Sequence, residues 1–370
     1  MDKGNNKSES YFLKEGGIIM KKKDDSERIQ DQRGKKLKET GWNRRDFLKA
    51  TGASVLAGMG AMFAPGIAKA AVEPRSFRIT EASGQTLTVL PPWKPYPYEI
   101  IPLPVLDAAV PQGFFTYLMN YDKFLPIYCG AFFISGVKGH NIVVDSGPTK
   151  QDFADKGYPC KVIKPMEQQL KDKTGLSPED IDMVIYTQMH HDHNPLAKIY
   201  KNAKQIVQKT EWNMLHNPPA CYRHLLNPEY MKGVDPTFVH GDVFNLVPGV
   251  SLMYTPGHTS GTQSVVVDTK MGRVIICGTC CEELNFNPPK EVKQFWPEVL
   301  VPGLHIDCQQ AYESLARIKS EADYIITPHD KMHYDRGVCP SSAWPKLGTR
   351  KKEYTMYRSD TPKAGYMSID

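Results

Sequence analysis

The sequence has 370 residues, of which 41% are hydrophobic and 24% are charged, an ordinary composition for a globular protein that can bury a sizeable core. The formal net charge of +5 comes from the first 70 residues, which carry 15 Lys and Arg against 9 Asp and Glu. The rest of the chain is close to neutral. This excludes a broad basic surface for gathering nucleic acid, and we expect no nucleic-acid partner.

Residues 1–70 have the features of an export signal. The pair Arg44-Arg45 precedes a weakly apolar stretch, rich in Ala and Gly, over residues 50–67, and Ala68-Lys69-Ala70 follows as a small-x-small cleavage site. The pattern resembles a twin-arginine signal peptide with an extended polar lead. The alternative is a membrane anchor, which the four Gly and one Pro of the stretch disfavour. We expect the twin-arginine export machinery to be a partner and the mature protein to lie in the periplasm or outside the cell.

The chain after the signal divides into an arm, one domain and a tail. Residues 71–104 are rich in proline and predict an extended arm or linker. Apolar patterns then predict helices over 165–174 and 309–318, and strands over 127–135, 141–145, 182–187, 205–208, 251–254, 263–268, 273–277 and 324–327. Two strand-rich halves with helices between them predict two packed sheets covered by helices, which is an α/β sandwich over residues 105–340. Residues 341–370 are assigned to a C-terminal tail.

Histidines follow the ends of three predicted strands. A Gln-x-His-x-Asp-His run over residues 188–193 comes directly after the strand predicted over 182–187. His258 and His329 follow two later strands, each after a Pro or Gly that sets a turn. Imidazole and carboxylate groups suit zinc or iron. Because one edge of the fold can collect several strand ends, the set predicts a metal site.

In this order the motifs resemble the metallo-β-lactamase superfamily, over roughly residues 98–335. The family's Asp-x-Gly appears at 145–147, its His-x-His-x-Asp-His at 188–193 with Gln188 in place of the first His, and its Pro-Gly-His-Thr at 256–259. Its terminal His matches His329. Residues 255–265 and 322–330 are most similar to the N-acyl-homoserine-lactonase-like group. The resemblance implies a four-layer αββα sandwich as the fold of the catalytic domain.

The resemblance also implies a metal centre that holds two zinc ions, although iron suits the same ligands. Asp192 would in addition be catalytic, orienting a metal-bound hydroxide or moving its proton, and Asp145 would orient the histidine loop. The implied ligands are Gln188, His190 and His258 at one position, and Asp192, His193 and His329 at the other.

One further ligand is implied where the chain departs from the family. Thr279 stands at the place of the usual bridging Asp, and a hydroxyl is a poor substitute for a carboxylate. The zinc β-lactamases that use a Cys ligand place it one residue later, which implies Cys280 as a thiolate ligand. Cys281 stays open as an alternative.

The activity implied is hydrolysis of a small-molecule lactone, ester or amide. Two alternatives stay open: an iron-containing redox or oxygen-handling protein on the same fold, and a metal-binding protein without catalysis. Hydrolysis is favoured because no flavin, haem or iron–sulfur ligand pattern accompanies the motifs.

Overall fold

The computed structural model describes residues 77–80 and 86–350. The predicted signal peptide over residues 1–70 and residues 351–370 of the predicted tail lie outside the described residues. Strands β1 (Phe77–Thr80) and β2 (Thr86–Val89) pair as an antiparallel hairpin. In the described ranges every helix is too short or too polar to span a bilayer.

The larger of two main sheets has seven strands within residues 86–350, in the order β6-β3-β4-β5-β7-β8-β9. Strands β3 and β4 form a long antiparallel pair, whereas β5, β7, β8 and β9 run parallel to one another. Parallel strands end at one edge of a sheet, so the loops after β5 and β7 come together there. The bounds are β3 (Glu99–Pro111), β4 (Phe124–Ser135), β5 (Ile142–Val144), β6 (Cys160–Val162), β7 (Met183–Ile185), β8 (Lys204–Gln208) and β9 (Pro236–Val239).

The smaller sheet has five strands in the described part of the chain, ordered as they occur in the sequence. Its pairs are antiparallel except for the last two strands, which are parallel and are connected through two helices. The bounds are β10 (Val243–Val247), β11 (Val250–Tyr254), β12 (Gln263–Thr269), β13 (Gly272–Ile276) and β14 (Tyr324–Ile326).

Helices cover the outer faces of both sheets. They are α1 (Lys150–Ala154), α2 (Met166–Thr174), α3 (Lys209–His216), α4 (Glu283–Phe286), α5 (Cys308–Glu321) and α6 (Lys331–Asp335). Met166 and Leu170 of α2 pack with Val184 on one face of the larger sheet. Leu315 of α5 packs with Ile275 of the smaller sheet.

The inner faces of the two sheets share a third apolar cluster, which contains side chains such as Ile185 of β7 and Val265 of β12. Because strands alternate their side chains, each sheet can be apolar on both faces and pack on a helix layer as well as on the other sheet. The order of layers is helix, sheet, sheet, helix. The predicted four-layer αββα sandwich is confirmed.

The predicted arm over residues 71–104 is wrong at its carboxyl end, because residues 99–104 form the first half of β3. Pro102 and Pro104 occupy the part of β3 that pairs with β4 but not with β6, which bonds only residues 106–108. A missing N–H is tolerated on an unpaired strand edge, so prolines there do not exclude a strand.

The predicted tail over residues 341–370 also begins too early. Trp344 is buried against the cluster between the sheets, and Cys339 pairs with Ile100 of β3. Farther along, the Arg350 guanidinium binds Asp323 at 2.6 Å and lies over the ring of Trp93, 5.6 Å from its centroid. Residues up to 350 therefore belong to the domain.

Candidate metal centre

Two buried carboxylates fix the loop that follows β7. Asp145, which follows the neighbouring strand β5, accepts hydrogen bonds from the backbone N–H and the hydroxyl of Thr187, the first at 2.8 Å. Its φ of +62° lies in the left-handed region, a strained conformation that these bonds stabilise. Glu211 of α3 accepts from the N–H of Met189 at 2.8 Å. The backbone on both sides of Gln188 is thereby held in place.

Gln188 and His258 present two lone pairs to each other. The Gly278 carbonyl accepts from Nε2 of Gln188 at 3.2 Å, which turns Oε1 of Gln188 towards Nε2 of His258, 3.1 Å away. Nδ1 of His258 donates to the Leu304 carbonyl at 2.6 Å, so Nε2 of the neutral ring carries no proton. Two hydrogen-bond acceptors 3.1 Å apart, with no proton between them, repel each other. The arrangement is favourable only when a cation binds to both.

His190 adds a third nitrogen to the same place. Its ring meets that of His258 edge to face, with centroids 4.8 Å apart. Nε2 of His190 is buried and has no hydrogen-bond partner among the described residues. Burial also lowers the pKa of His190 well below its ordinary value. An unpartnered buried nitrogen is costly unless it binds a ligand, so these three residues fit a metal ion.

His193, Asp192 and His329 form a second group of ligand atoms. Nδ1 of His193 donates to Asp145 at 2.8 Å, which leaves Nε2 free to bind a metal. Nε2 of His193 has no hydrogen-bond partner in the described part of the chain and lies 3.6 Å from Oδ2 of Asp192. Nε2 of His329 lies 3.5 Å from the same oxygen. These separations exceed an ordinary hydrogen bond and suit atoms that share one ion.

The protonation states of the group favour cation binding. Burial lowers the pKa of His258 and of His329 to about 4, so both rings are neutral near pH 7. Burial would also lower the pKa of His193, but Asp192 and Asp145 raise it to about 9. Burial alone would raise the pKa of Asp192, yet His193 and His329 hold it well below its ordinary value. The negative charge of Asp192 and Asp145 thus holds a proton on His193. A metal ion that replaces this proton would balance the same negative charge.

The three thiols near this group have different surroundings. Cys280, the predicted ligand, lines the same cavity as Gln188 and His329, and burial raises its pKa. The Cys281 thiol lies 3.3 Å from the sulfur of Cys277 in the apolar cluster beneath the smaller sheet. The geometry therefore favours Cys280 over Cys281. The thiol that forms a close group with Asp192 and His329 is a third one, Cys129 of β4.

A cavity with mainly apolar walls opens onto these residues. The side chains that line it include the apolar Phe115, Phe153 and Leu225 together with Asp192 and His258. Leu225 belongs to the segment 217–231. The backbone N–H of His191, in the histidine run, donates a hydrogen bond to the Leu225 carbonyl at 2.9 Å and so joins the two segments. A small molecule with an apolar substituent fits this shape better than a charged polymer does.

Two contributors to the centre were not predicted from the sequence. Cys129 lies in a strand and shares a buried face with Ile127 and Ala131. This period of two residues was the only sequence signal that could have assigned Cys129 to the interior. Glu211 lies in a helix that the sequence pattern did not predict, and nothing in its local sequence distinguishes it from a solvated acid. In contrast, the structure brings together all the residues of the histidine motifs and their partner Asp145.

Comparison with known proteins places the site in a recognised context. The family model described as the metallo-beta-lactamase superfamily matches residues 126–329. Among curated proteins, an N-acyl homoserine lactonase of Bacillus cereus is 29% identical over 167 residues, which are 43% of this chain and 59% of that protein. An N-acyl homoserine lactonase of Bacillus thuringiensis is 26% identical over 226 residues, covering 56% of this chain and 82% of the relative.

Solved structures show the same architecture. An N-acyl homoserine lactone hydrolase, with the product N-hexanoyl-L-homoserine bound at its catalytic metal centre, superimposes with a TM-score of 0.52 at 21% identity. The superposition covers 65% of this chain and 96% of that structure.

Proposed function

Since the chain belongs to the metallo-β-lactamase superfamily and is a metal-dependent hydrolase, we propose that it opens small-molecule lactones that carry an apolar substituent. The observation that carries the proposal is the facing lone pairs of Gln188 and His258, at 3.1 Å, in the lining of a mainly apolar cavity. The similar lactonases support the reaction class. Open-chain esters and amides are the next substrates to test.

The proposed cofactor is zinc, with two ions per chain. Gln188, His190 and His258 would hold one ion, and Asp192, His193 and His329 would hold the other, with Cys280 as a predicted additional ligand. When bound, zinc supplies a nucleophile derived from water near neutral pH and polarises the carbonyl group that is attacked.

The protein's own groups orient the reactants. Asp192 is the most accessible of the ligand carboxylates and imidazoles of its group, with 12% of its side chain exposed against 3% for His193 and 4% for His329. Because its low pKa keeps it ionised, Asp192 accepts a hydrogen bond from the attacking water and orients it. The apolar side chains of Phe115, Phe153 and Leu225 bind the substituent and exclude bulk water. Exclusion of water strengthens the electrostatic interactions at the metal centre.

Metal analysis and turnover on the same sample test the proposal. Chelated protein should be inactive, and readdition of zinc should restore proton release from acyl-homoserine lactones of several chain lengths. Zinc-loaded protein that turns over neither these lactones nor open-chain esters and amides would contradict it. A coloured, iron-loaded protein without hydrolysis would support the iron-containing redox alternative instead.

Export by the twin-arginine route is also proposed, on the basis of Arg44-Arg45 and the cleavage site at residues 68–70. Replacing both arginines with Lys should keep a fused reporter in the cytoplasm, because the pair is what the export machinery reads. Replacement of Arg28 and Arg33 with Lys is the matched control and should leave export unchanged. Undiminished export of the Arg44/Arg45 variant would exclude the route.

A further inference from the structure

Cys129 belongs to a buried apolar cluster and also lies beside two side chains of the candidate metal centre. It lies in β4 opposite Leu106 of β3 and is 1% exposed. Its strand neighbours on the same face, Ile127 and Ala131, are apolar, as expected for a buried strand. The Cys129 sulfur instead lies 3.5 Å from Nδ1 of His329 and 3.9 Å from Oδ2 of Asp192. A buried Cys usually behaves as a small apolar residue, but here the side chains of Asp192 and His329 also contact the sulfur.

The distances around Asp192 match those between ligands of one ion. Zinc bonds of about 2.0–2.3 Å in a tetrahedral arrangement separate the ligand atoms by roughly 3.2–3.7 Å. Two neighbours of Oδ2 of Asp192 fall in this range, Nε2 of His329 at 3.5 Å and Nε2 of His193 at 3.6 Å, and the Cys129 sulfur lies just beyond it at 3.9 Å. The two nitrogens are too distant for ordinary hydrogen bonds to this oxygen, and the Cys129 thiol reaches it only as a long sulfur hydrogen bond. Together with Asp192 itself they make a set of four, the number that zinc prefers, so Cys280 would not be needed as a ligand at this position.

The other thiols of the described residues do not form such a group with a carboxylate and an imidazole. Cys277 and Cys281 are equally buried, yet each sulfur has the other as its partner at 3.3 Å. They show that a buried thiol in this fold can be satisfied without polar ligands nearby.

We propose that Cys129 is a thiolate ligand of the second metal position, together with Asp192, His193 and His329. The proposal rests on the metal-dependent function above. A carboxylate, a thiolate and two neutral imidazoles balance the charge of a divalent ion, which removes the penalty of burying it. The soft sulfur ligand selects zinc over magnesium or calcium at this position. The ligand comes from a β-strand of the larger sheet and not from a loop.

Cobalt substitution tests this ligand separately from Cys280, because a cobalt–thiolate bond gives an intense near-ultraviolet charge-transfer band. Cobalt-loaded Cys280→Ser should retain the band, and the Cys129→Ser/Cys280→Ser double variant should lose it. Cys277→Ser is the matched control, since it removes a thiol of equal burial outside the site, and its band should equal that of the parent. A band that is absent from Cys280→Ser, or unchanged in the double variant, would overturn the proposal.

A second measurement does not depend on whether the Cys129 variant folds. X-ray absorption of zinc-loaded Cys280→Ser should contain zinc–sulfur scattering at about 2.3 Å, and its absence would overturn the Cys129 ligand. Lactone hydrolysis by the zinc-loaded parent protein, measured beside these samples, separates the two proposals. Protein that hydrolyses lactones without a metal–sulfur signal refutes only the Cys129 ligand, whereas zinc-loaded protein without activity refutes the proposed reaction.

Discussion

At the scale of single residues, the orientation of one amide determines what the first metal position can bind. The Gly278 carbonyl fixes the Gln188 amide, and a Cβ at Gly278 would lie 2.0 Å from the Gln263 carbonyl oxygen, so no larger residue fits there. Gln188 therefore presents its oxygen and not its nitrogen to the site. An amide oxygen in place of the family's imidazole is consequently a workable ligand.

We expect Gln188→Leu to lose the ion of the first position, because the side chain keeps its volume but has no oxygen. Metal content should fall by about one ion per chain. Gln188→His, which restores the family's ligand, should retain the metal and serves as the control. Elemental analysis after dialysis measures both. Full metal content in Gln188→Leu would show that the Gln188 oxygen is not a ligand.

Asp145 acts on the metal through His193, so Asp145→Asn should weaken metal affinity by about 10–100-fold. The amide can turn its NH₂ group towards Nδ1 of His193, which removes the acceptor that fixes the ring. Competition with a coloured chelator measures the affinity. Asp180→Asn is the control, because Asp180 accepts a hydrogen bond from the Ser177 N–H in a turn outside the metal centre. The metal affinity of Asp180→Asn should equal that of the parent. Equal affinity in Asp145→Asn would contradict the assigned role.

At the scale of elements, α3 holds together two loops that carry metal ligands. One oxygen of Glu211 accepts from Met189 N–H, and the other accepts from Gly261 N–H and the Thr259 hydroxyl at 3.0 and 2.6 Å. The first loop bears the histidine run and the second bears His258. Gly261 has no room for a side chain, since its Cβ would lie 2.1 Å from the Glu211 backbone nitrogen.

Glu211→Gln should lower the free energy of unfolding by about 1–3 kcal/mol, because its NH₂ group would face a backbone N–H and leave a buried donor unsatisfied. Urea denaturation of metal-free protein measures this. Glu313→Gln, on the exposed side of α5, should have no effect. Equal midpoints for Glu211→Gln and the parent would show that Glu211 does not hold the loops.

A second group of potential ligands lies behind His329, where Glu283, Asp330 and His333 approach one another. Nδ1 of His333 accepts from Thr327 N–H, so Nε2 is the protonated nitrogen and donates to Glu283 at 3.0 Å. Asp330 caps α6 through Met332 N–H. The group stabilises the start of α6 and has no nitrogen free for a metal.

Glu283 should make stability depend on pH in the acidic range. The hydrogen bond from His333 lowers its pKa to about 2 from an ordinary value of 4.5. Its stabilisation is therefore complete above pH 4.5 and is lost as the pH falls towards 2. Glu283→Gln should cost about 1–2 kcal/mol at pH 7, allowing for partial exposure, and the difference should narrow below pH 4.5. Urea unfolding at pH 7 and pH 4 tests this.

The control for this pH dependence is Glu229→Gln, which removes an exposed acid paired with Lys232. It should change neither the stability nor its pH dependence. A constant difference between Glu283→Gln and the parent at both pH values would contradict the linkage to Glu283.

Elements were predictable where apolar residues continue without interruption. The patterns over 205–208 and 263–268 agree with β8 and β12 to within one residue at each end. Strands β9 and β10 were not predicted, because most of their side chains are only half buried and their sequences are mixed. Helix α3 was missed for a related reason, since its buried face includes the charged Glu211. Short elements stabilised by tertiary contacts leave little local signal.

At the scale of the whole molecule, the metal centre joins two sheets that come from different halves of the sequence. The larger sheet leads to residues 188–193 and contributes Cys129, and the smaller sheet leads to His258 and His329. The histidine motifs were predictable because each follows a strand end. The contact of Cys129 with them depends on sheet packing, which one-dimensional spacing does not contain.

The contact between Trp93 and Arg350 has a consequence for chain connectivity. The Arg350 guanidinium lies 5.6 Å from the centroid of the Trp93 ring. The segments that carry these two side chains therefore lie side by side near the ends of the described domain, and a linker can join them without disturbing either sheet. New termini at Lys232-Gly233, an exposed turn where a Cβ added to the glycine would meet no atom within 4 Å, would give a circular permutant. In it His258 and His329 precede the histidine run along the chain. We expect this permutant to fold and to bind metal with the parent stoichiometry, because the centre depends on which strands are adjacent and not on the order in which they are synthesised.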